Sequence, residues 1–171
     1  ESCARAAGAR TAVDAARKLV AAIDSRYALR YDIIKGSIRY GFIGFNSPFA
    51  LTNWIEYVIR GGAPTAPKFC PTSAEQYPDY LIVNCNDCAA SLALMGKVVG
   101  APLEYFFHQP FGYLNYVEPI GRRKCNNPFY GCGGGYPAAL PADYEPRSRF
   151  ANHTYTKLPS GRNFDACLKE W

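Results

Sequence analysis

The stretch VNCNDCAASLALMGKVVGAPLEYFF, residues 83–107, constrains the fold more than any other part of the chain. Leu81, Ile82 and Val83 form an apolar run that stops at Asn84, and Ala89, Leu92, Met95 and Val99 then recur at helical spacing. Gly100 stands where a left-handed glycine ends a helix, and Ala101-Pro102 follows it. This order puts Cys85 at the mouth of an apolar helix and Cys88 three residues further in. A thiol there sits among unpaired N–H groups at the positive end of the helix, a place that favours a thiolate and can hold an oxyanion.

Three readings of these two cysteines compete. Cys85-x2-Cys88 with Cys125 and Cys132 would make a zinc knuckle, but the second pair is spaced too widely for the usual pattern. Both could be half-cystines paired among Cys3, Cys70, Cys125, Cys132 and Cys167, which is the favoured reading for Cys88. For Cys85 the third reading, a reactive thiol, is preferred. Seven cysteines are many for a cytosolic domain and predict an oxidising, secreted setting, and the odd number leaves one thiol free or paired between chains.

The length of 171 residues predicts one domain, large enough to bury a core without metals, and 49% hydrophobic residues exclude a disordered chain. The net charge of +5 is scattered apart from Arg122-Arg123-Lys124, which argues against a nucleic-acid footprint; that triplet reads as a solvated turn. No apolar run approaches the ~18 residues of a membrane span. The opening Glu1-Ser2-Cys3 shows no signal-peptide pattern and is expected of a processed or trimmed form.

Thr11 and Asp14 read as a capping box that opens a helix to about Asp24, with Val13, Ala16, Val20 and Ile23 on its core face. Residues 33–45 mix glycine with β-branched and aromatic residues and predict short strands or a loop. Ser47-Pro48 should start a second helix, with Leu51, Trp54, Ile55, Val58 and Ile59 as its stripe and Gly61-Gly62 as its stop. Four prolines within residues 63–80 predict a loop. Residues 103–121 are aromatic-rich and broken by Pro110-Phe111-Gly112, which predicts two strands around a turn. Residues 125–146 form an irregular insertion that Cys125–Cys132 would close; its glycine run lacks the Lys-Ser/Thr of a phosphate loop. His108, beside Gln109, reads as a packing or rim residue.

Near the C-terminus, β-type residues flank Pro159-Ser160-Gly161, the signal of a hairpin with a three-residue loop. That loop puts Leu158 opposite Arg162 and His153 opposite Cys167, so Asp165 becomes the diagonal neighbour of His153 on one face. A carboxylate beside an imidazole holds its tautomer and favours its charged form. Asn152-His153-Thr154 is also a glycosylation sequon, and a catalytic role for His153 predicts that it is unmodified.

Together these segments resemble the transglutaminase-like superfamily. Residues 84–107 match its nucleophile segment: Cys85, Ala89 four residues on, an apolar helix closed by Gly100, then Ala101-Pro102 and an apolar strand. NHTYTKLPSGRNFDACL is similar in order and spacing to the segments that supply its His and Asp, here His153 and Asp165. The matched segments make up under a third of the chain. Asn86-Asp87, Cys88 and Tyr155 depart from the family's usual residues. The resemblance implies an α+β fold with a papain/transglutaminase-like core, in which a Cys-bearing helix packs on an antiparallel sheet. It also implies a Cys85–His153–Asp165 triad that transfers acyl groups from carboxamides through a thioester, without cofactor or metal. A protein or peptide bearing glutamine or amide groups would be the substrate, and an amine or water the acceptor. Trp54 is a candidate oxyanion donor by approximate spacing, against its plainer place on a core stripe. A cysteine protease or amidase is the alternative enzyme, and a non-catalytic secreted binding or effector protein the alternative outside catalysis.

Overall fold

The computed structural model describes residues 1–34, 36–40, 48–62, 79–131, 140–147 and 149–169. Within them the chain is a mixed helix-and-sheet protein, with one parallel and one antiparallel sheet. Helix α1 (Ser2–Arg5) is a single turn, and α2 (Ala12–Arg26) follows. Thr11 caps α2 by accepting a hydrogen bond from the Asp14 N–H at 3.1 Å. Only this half of the expected capping box forms. Ala16, Val20 and Ile23 are buried as their spacing requires, with Leu19 beside them, whereas Val13 is half-buried.

After α2, strand β1 (Arg30–Tyr31) pairs in parallel with β2 (Ile82–Val83), and residues 33–34 and 36–40 are loop. Helix α3 (Leu51–Asn53) takes Ala50 as its N-cap and continues as a π-helix over Trp54–Ile59. The expected start at Ser47-Pro48 is corrected, since residues 48–50 are coil and the helix begins at Leu51; Ser47 itself, the proline-rich residues 63–78, Cys132 and most of the glycine run lie outside the described residues. Trp54 and Val58 are buried from the predicted stripe, Ile55 and Ile59 are half-buried, and Leu51 is exposed.

Helix α4 (Cys85–Val98) is the centre of the molecule and packs against α2, β3 (Glu104–His108) and β4 (His153–Lys157). Eleven of its fourteen residues are buried, which its Ala, Ser, Cys and Gly content permits because small side chains let neighbouring elements approach on every side. At its N-terminus the Asn84 side chain accepts from the Asp87 N–H, and the Asp87 carboxylate accepts from the Asn84 N–H, both at 3.1 Å. At its C-terminus Gly100, at φ +74°, lets the Ala101 N–H reach the Gly96 carbonyl at 2.9 Å.

A Cβ added at Gly96 would stand 2.8 Å from Leu103 Cδ1 and 2.9 Å from the Ala101 carbonyl oxygen. That oxygen belongs to the turn Gly96 itself closes, so it cannot retreat. Gly96→Ala is expected to cost about 1–3 kcal/mol despite the better helix propensity of alanine, as urea unfolding would measure.

The antiparallel sheet runs in the order β3-β4-β5, with β5 at Asn163–Phe164. The hairpin forms in the predicted register: the Leu158 N–H donates to the Arg162 carbonyl at 2.9 Å, and Gly161 takes φ +88°. The two strands predicted around Pro110-Phe111-Gly112 are corrected to one. Strand β3 spends its hydrogen bonds on β4, from Glu104↔Lys157 to His108↔His153, and after Pro110 only the isolated bridges Gly112↔Phe150 and Val117↔Cys125 form. The described parts of the insertion, residues 125–131 and 140–146, are irregular.

Candidate active site

The capping box of α4 decides where Cys85 points its backbone. Of the first-turn donors, the Asp87 N–H goes to the Asn84 side chain and the Cys88 N–H to the Asn84 carbonyl at 3.1 Å. The N–H groups of Cys85 and Asn86 are the two that the box leaves unclaimed. The Asp87 carboxylate also accepts from the backbone N–H groups of Arg39 and Tyr40, with the Tyr40 bond at 2.6 Å, and so ties loop residues 36–40 to the helix mouth. The Asn84 amide donates to the Gly36 carbonyl at 2.7 Å and adds to the same tie.

The hairpin brings the other two residues to this mouth. His153 opens β4, and Asp165 follows β5 directly. The His153 Nε2 lies 2.5 Å from Asp165 Oδ2, and Cys85 lies near enough to the ring to raise its pKa. Cys85, His153 and Asp165, distant in sequence, are therefore brought to one place, with His153 and Asp165 in direct contact and Cys85 acting on the ring. All three are buried, with 8% of Cys85 exposed. The second carboxylate oxygen, Asp165 Oδ1, accepts from the N–H groups of Cys167 at 2.9 Å and Leu168 at 3.1 Å, so the acid is oriented by the backbone of its own turn. Phe111 packs on the His153 ring with centroids 4.8 Å apart.

Burial opposes a charge on His153, but the Asp165 carboxylate that accepts from the ring, with the influence of Cys85, outweighs it and pushes its pKa up to about 10. The ring thus carries a proton at neutral pH. Because the folded value lies above the ordinary ~6.5, the folded state binds more protons between the two values. The contribution to stability is complete below about pH 6.5 and is lost as pH rises through about 10. Urea unfolding is expected to show wild-type stability falling across this window relative to His153→Gln, which has no charge to lose.

Three side chains that sequence reasoning passed over complete the site. Asn86 is buried beside the nucleophile: its Nδ2 donates to Cys85 Sγ at 3.8 Å, while its Oδ1 accepts from Tyr105 OH at 2.5 Å and Thr154 Oγ1 at 3.0 Å. Two hydroxyls from β3 and β4 thus fix which end of the amide meets the sulfur. A signal for Thr154 was present in the alternation of β4, where threonines at 154 and 156 take the inward, fully buried positions.

Trp54 is 1% exposed and packs edge-on to Tyr40 at 5.1 Å and against Phe49 at 5.6 Å. Its indole Nε1 makes no hydrogen bond. Tyr40 links it to Asp87, one hydrogen bond from the helix mouth. His108 is exposed on β3, paired with His153 in the ladder and ringed by Phe106, Phe111 and Tyr155, as a rim residue would be. Among the described residues no cluster of three or more His, Cys, Asp or Glu side chains could hold a metal ion. Among them also, no helix is long and apolar enough to cross a membrane.

Comparison of the chain with protein-family models, curated proteins and solved structures gives no match.

Proposed function

We propose that this chain is a secreted, cysteine-dependent acyl transferase of the transglutaminase-like superfamily, built on a papain-like core and acting on carboxamides. The observation that carries the reading is a single buried imidazole bonded to the Asp165 carboxylate and electrostatically linked to the Cys85 thiol at a helix N-terminus. Asp165 orients and charges the ring, and Asn86 positions the sulfur.

In this reading Cys85 Sγ attacks the carbonyl carbon of a glutamine side chain or similar amide, and its proton resides on His153. As the C–S bond forms, the carbonyl oxygen gains charge, and the unclaimed Cys85 and Asn86 N–H groups are the donors for it. His153 passes its proton to the departing nitrogen as the C–N bond breaks, which releases ammonia and leaves a thioester. An amine or water then attacks the thioester, gives its proton to the ring, and the C–S bond breaks to restore the thiol. The partnerless Trp54 indole N–H is a further donor candidate, as a buried donor without an acceptor in the resting protein.

Incubation with a glutamine-containing peptide and a labelled primary amine tests the reading. Amine adduct supports transfer, and conversion of the glutamine to glutamate supports deamidation. A cut peptide supports the cysteine hydrolase. A chain that gives none of these, and whose Cys85 reacts with iodoacetamide no faster than an ordinary thiol, is the binding protein instead.

A further inference from the structure

Exposed apolar surface gathers on the strands that carry the triad. Of the six exposed large hydrophobic side chains among the described residues, four lie within residues 106–116, and Phe106 on β3 is 38% exposed. The β3–β4 ladder sorts its side chains into two faces. Tyr105 and Thr154 turn toward Asn86 of α4, so Glu104, Phe106 and His108 share the opposite face with His153, Tyr155 and Lys157. On that outer face the rings make one continuous row. Phe106 meets Tyr155 at 5.2 Å between centroids, His108 meets Phe111 at 5.5 Å, and the His153 ring lies 6.1 Å from Tyr155 and 4.8 Å from Phe111. One end of the row is thus the buried imidazole that Asp165 holds. The other end is cationic, with Lys157 Nζ 4.4 Å from the Phe106 ring centroid and Glu104 opposite Lys157 in the ladder.

We propose that this outer face docks the peptide substrate, taking an aromatic or large aliphatic side chain close to the reactive glutamine and an acidic residue beyond it at Lys157. The inference rests on the acyl-transfer reading, which brings a carboxamide to His153 and so lays the neighbouring residues of the substrate on the surface that leads away from that ring. From His153 to Lys157 the strand advances about 13 Å, a length that an extended peptide covers with about four residues. The apolar anchor therefore falls within about four residues of the glutamine, with the carboxylate at the far end. Rings already packed on one another lose little freedom when a ligand covers them, so burial of an apolar side chain on this row is kept as affinity. Lys157 adds charge complementarity at the rim, where it selects among ligands more than it tightens them.

The test is fluorescence anisotropy of labelled peptides with the full chain carrying Cys85→Ser, which leaves the peptide unconsumed. Each peptide holds one glutamine in an alanine-serine background, with a single phenylalanine moved through the flanking positions on either side. In at least one position phenylalanine is expected to lower Kd by about tenfold or more against the all-alanine peptide. A glutamate placed beyond it should add about two- to fivefold, a gain that high salt removes. Phe106→Ser/Tyr155→Ser should abolish the phenylalanine gain, and Lys157→Gln the glutamate gain alone. Equal affinity for every peptide, a phenylalanine gain that survives the double substitution, or a glutamate that adds nothing overturns the proposal. Should the double variant fail to fold, Phe106→Ser alone, at the more exposed of the two rings, makes the same comparison. Docking and turnover are read apart: a chain that binds the phenylalanine peptide but transfers no acyl group keeps the surface and loses the enzyme. Wild-type chain that transfers from phenylalanine and alanine peptides with equal kcat/KM keeps the enzyme and loses the surface.

Discussion

Replacing Asp87 with alanine is expected to lower the unfolding free energy by about 3–5 kcal/mol, the largest loss from any single polar side chain outside the triad. The carboxylate is 0% exposed and accepts from three backbone N–H groups, those of Asn84, Arg39 and Tyr40. Alanine would strand all three where water cannot replace the lost acceptor. It would also remove a negative charge from the first turn of α4, where the helix dipole favours one. Asp87→Asn offers no rescue, since its amide group would present N–H to N–H at one of the two oxygens. Thermal unfolding would register the change as a fall of roughly 10 °C or more for a domain of this size. A loss below about 1 kcal/mol would mean that these contacts do not hold the helix mouth.

Asp165→Asn is expected to lower acyl transfer by about 10²–10⁴-fold while leaving the chain folded. The argument separates the two oxygens. Oδ1 serves the N–H groups of Cys167 and Leu168, a duty that the oxygen of asparagine can perform. Oδ2 faces His153 Nε2 at 2.5 Å, where asparagine would present an N–H, force the ring to accept there, and withdraw the charge that keeps the imidazole protonated. His153 should then titrate well below about 10, and the pH profile of Cys85 alkylation by iodoacetamide should move with it. Cys85→Ser serves as the reference for complete loss. If D165N transfers acyl groups at the wild-type rate, Asp165 is only the cap of its own turn and the triad reduces to a Cys–His pair.

Both predictions rest on contacts that differ in how far the chain announces them. The hairpin register around Pro159-Ser160-Gly161 follows from local chemistry: a left-handed glycine and a three-residue loop allow one pairing of the flanking strands, and that pairing sets His153 beside Asp165. The α4 boundaries and the place of Cys85 in its first turn are equally local, since a capping asparagine and a closing glycine act within a few residues. The start of α3 and its π geometry escaped, because the i→i+5 turn leaves no distinct mark in the spacing of apolar residues. The second aromatic strand was wrongly expected because β propensity says which residues suit a ladder but not whether a partner strand is free.

Order along the chain was enough to determine the helix that presents Cys85, the hairpin that joins His153 to Asp165, and the excess of thiols over even pairing. Tertiary structure alone decided that the helix mouth and the hairpin meet and that Asn86 finds hydroxyls on two different strands. The difference is physical: caps and turns are satisfied by neighbours a few residues away. The carboxylate of Asp87 and the amide of Asn86 instead find their partners across a packed core, whose pairings no local pattern encodes.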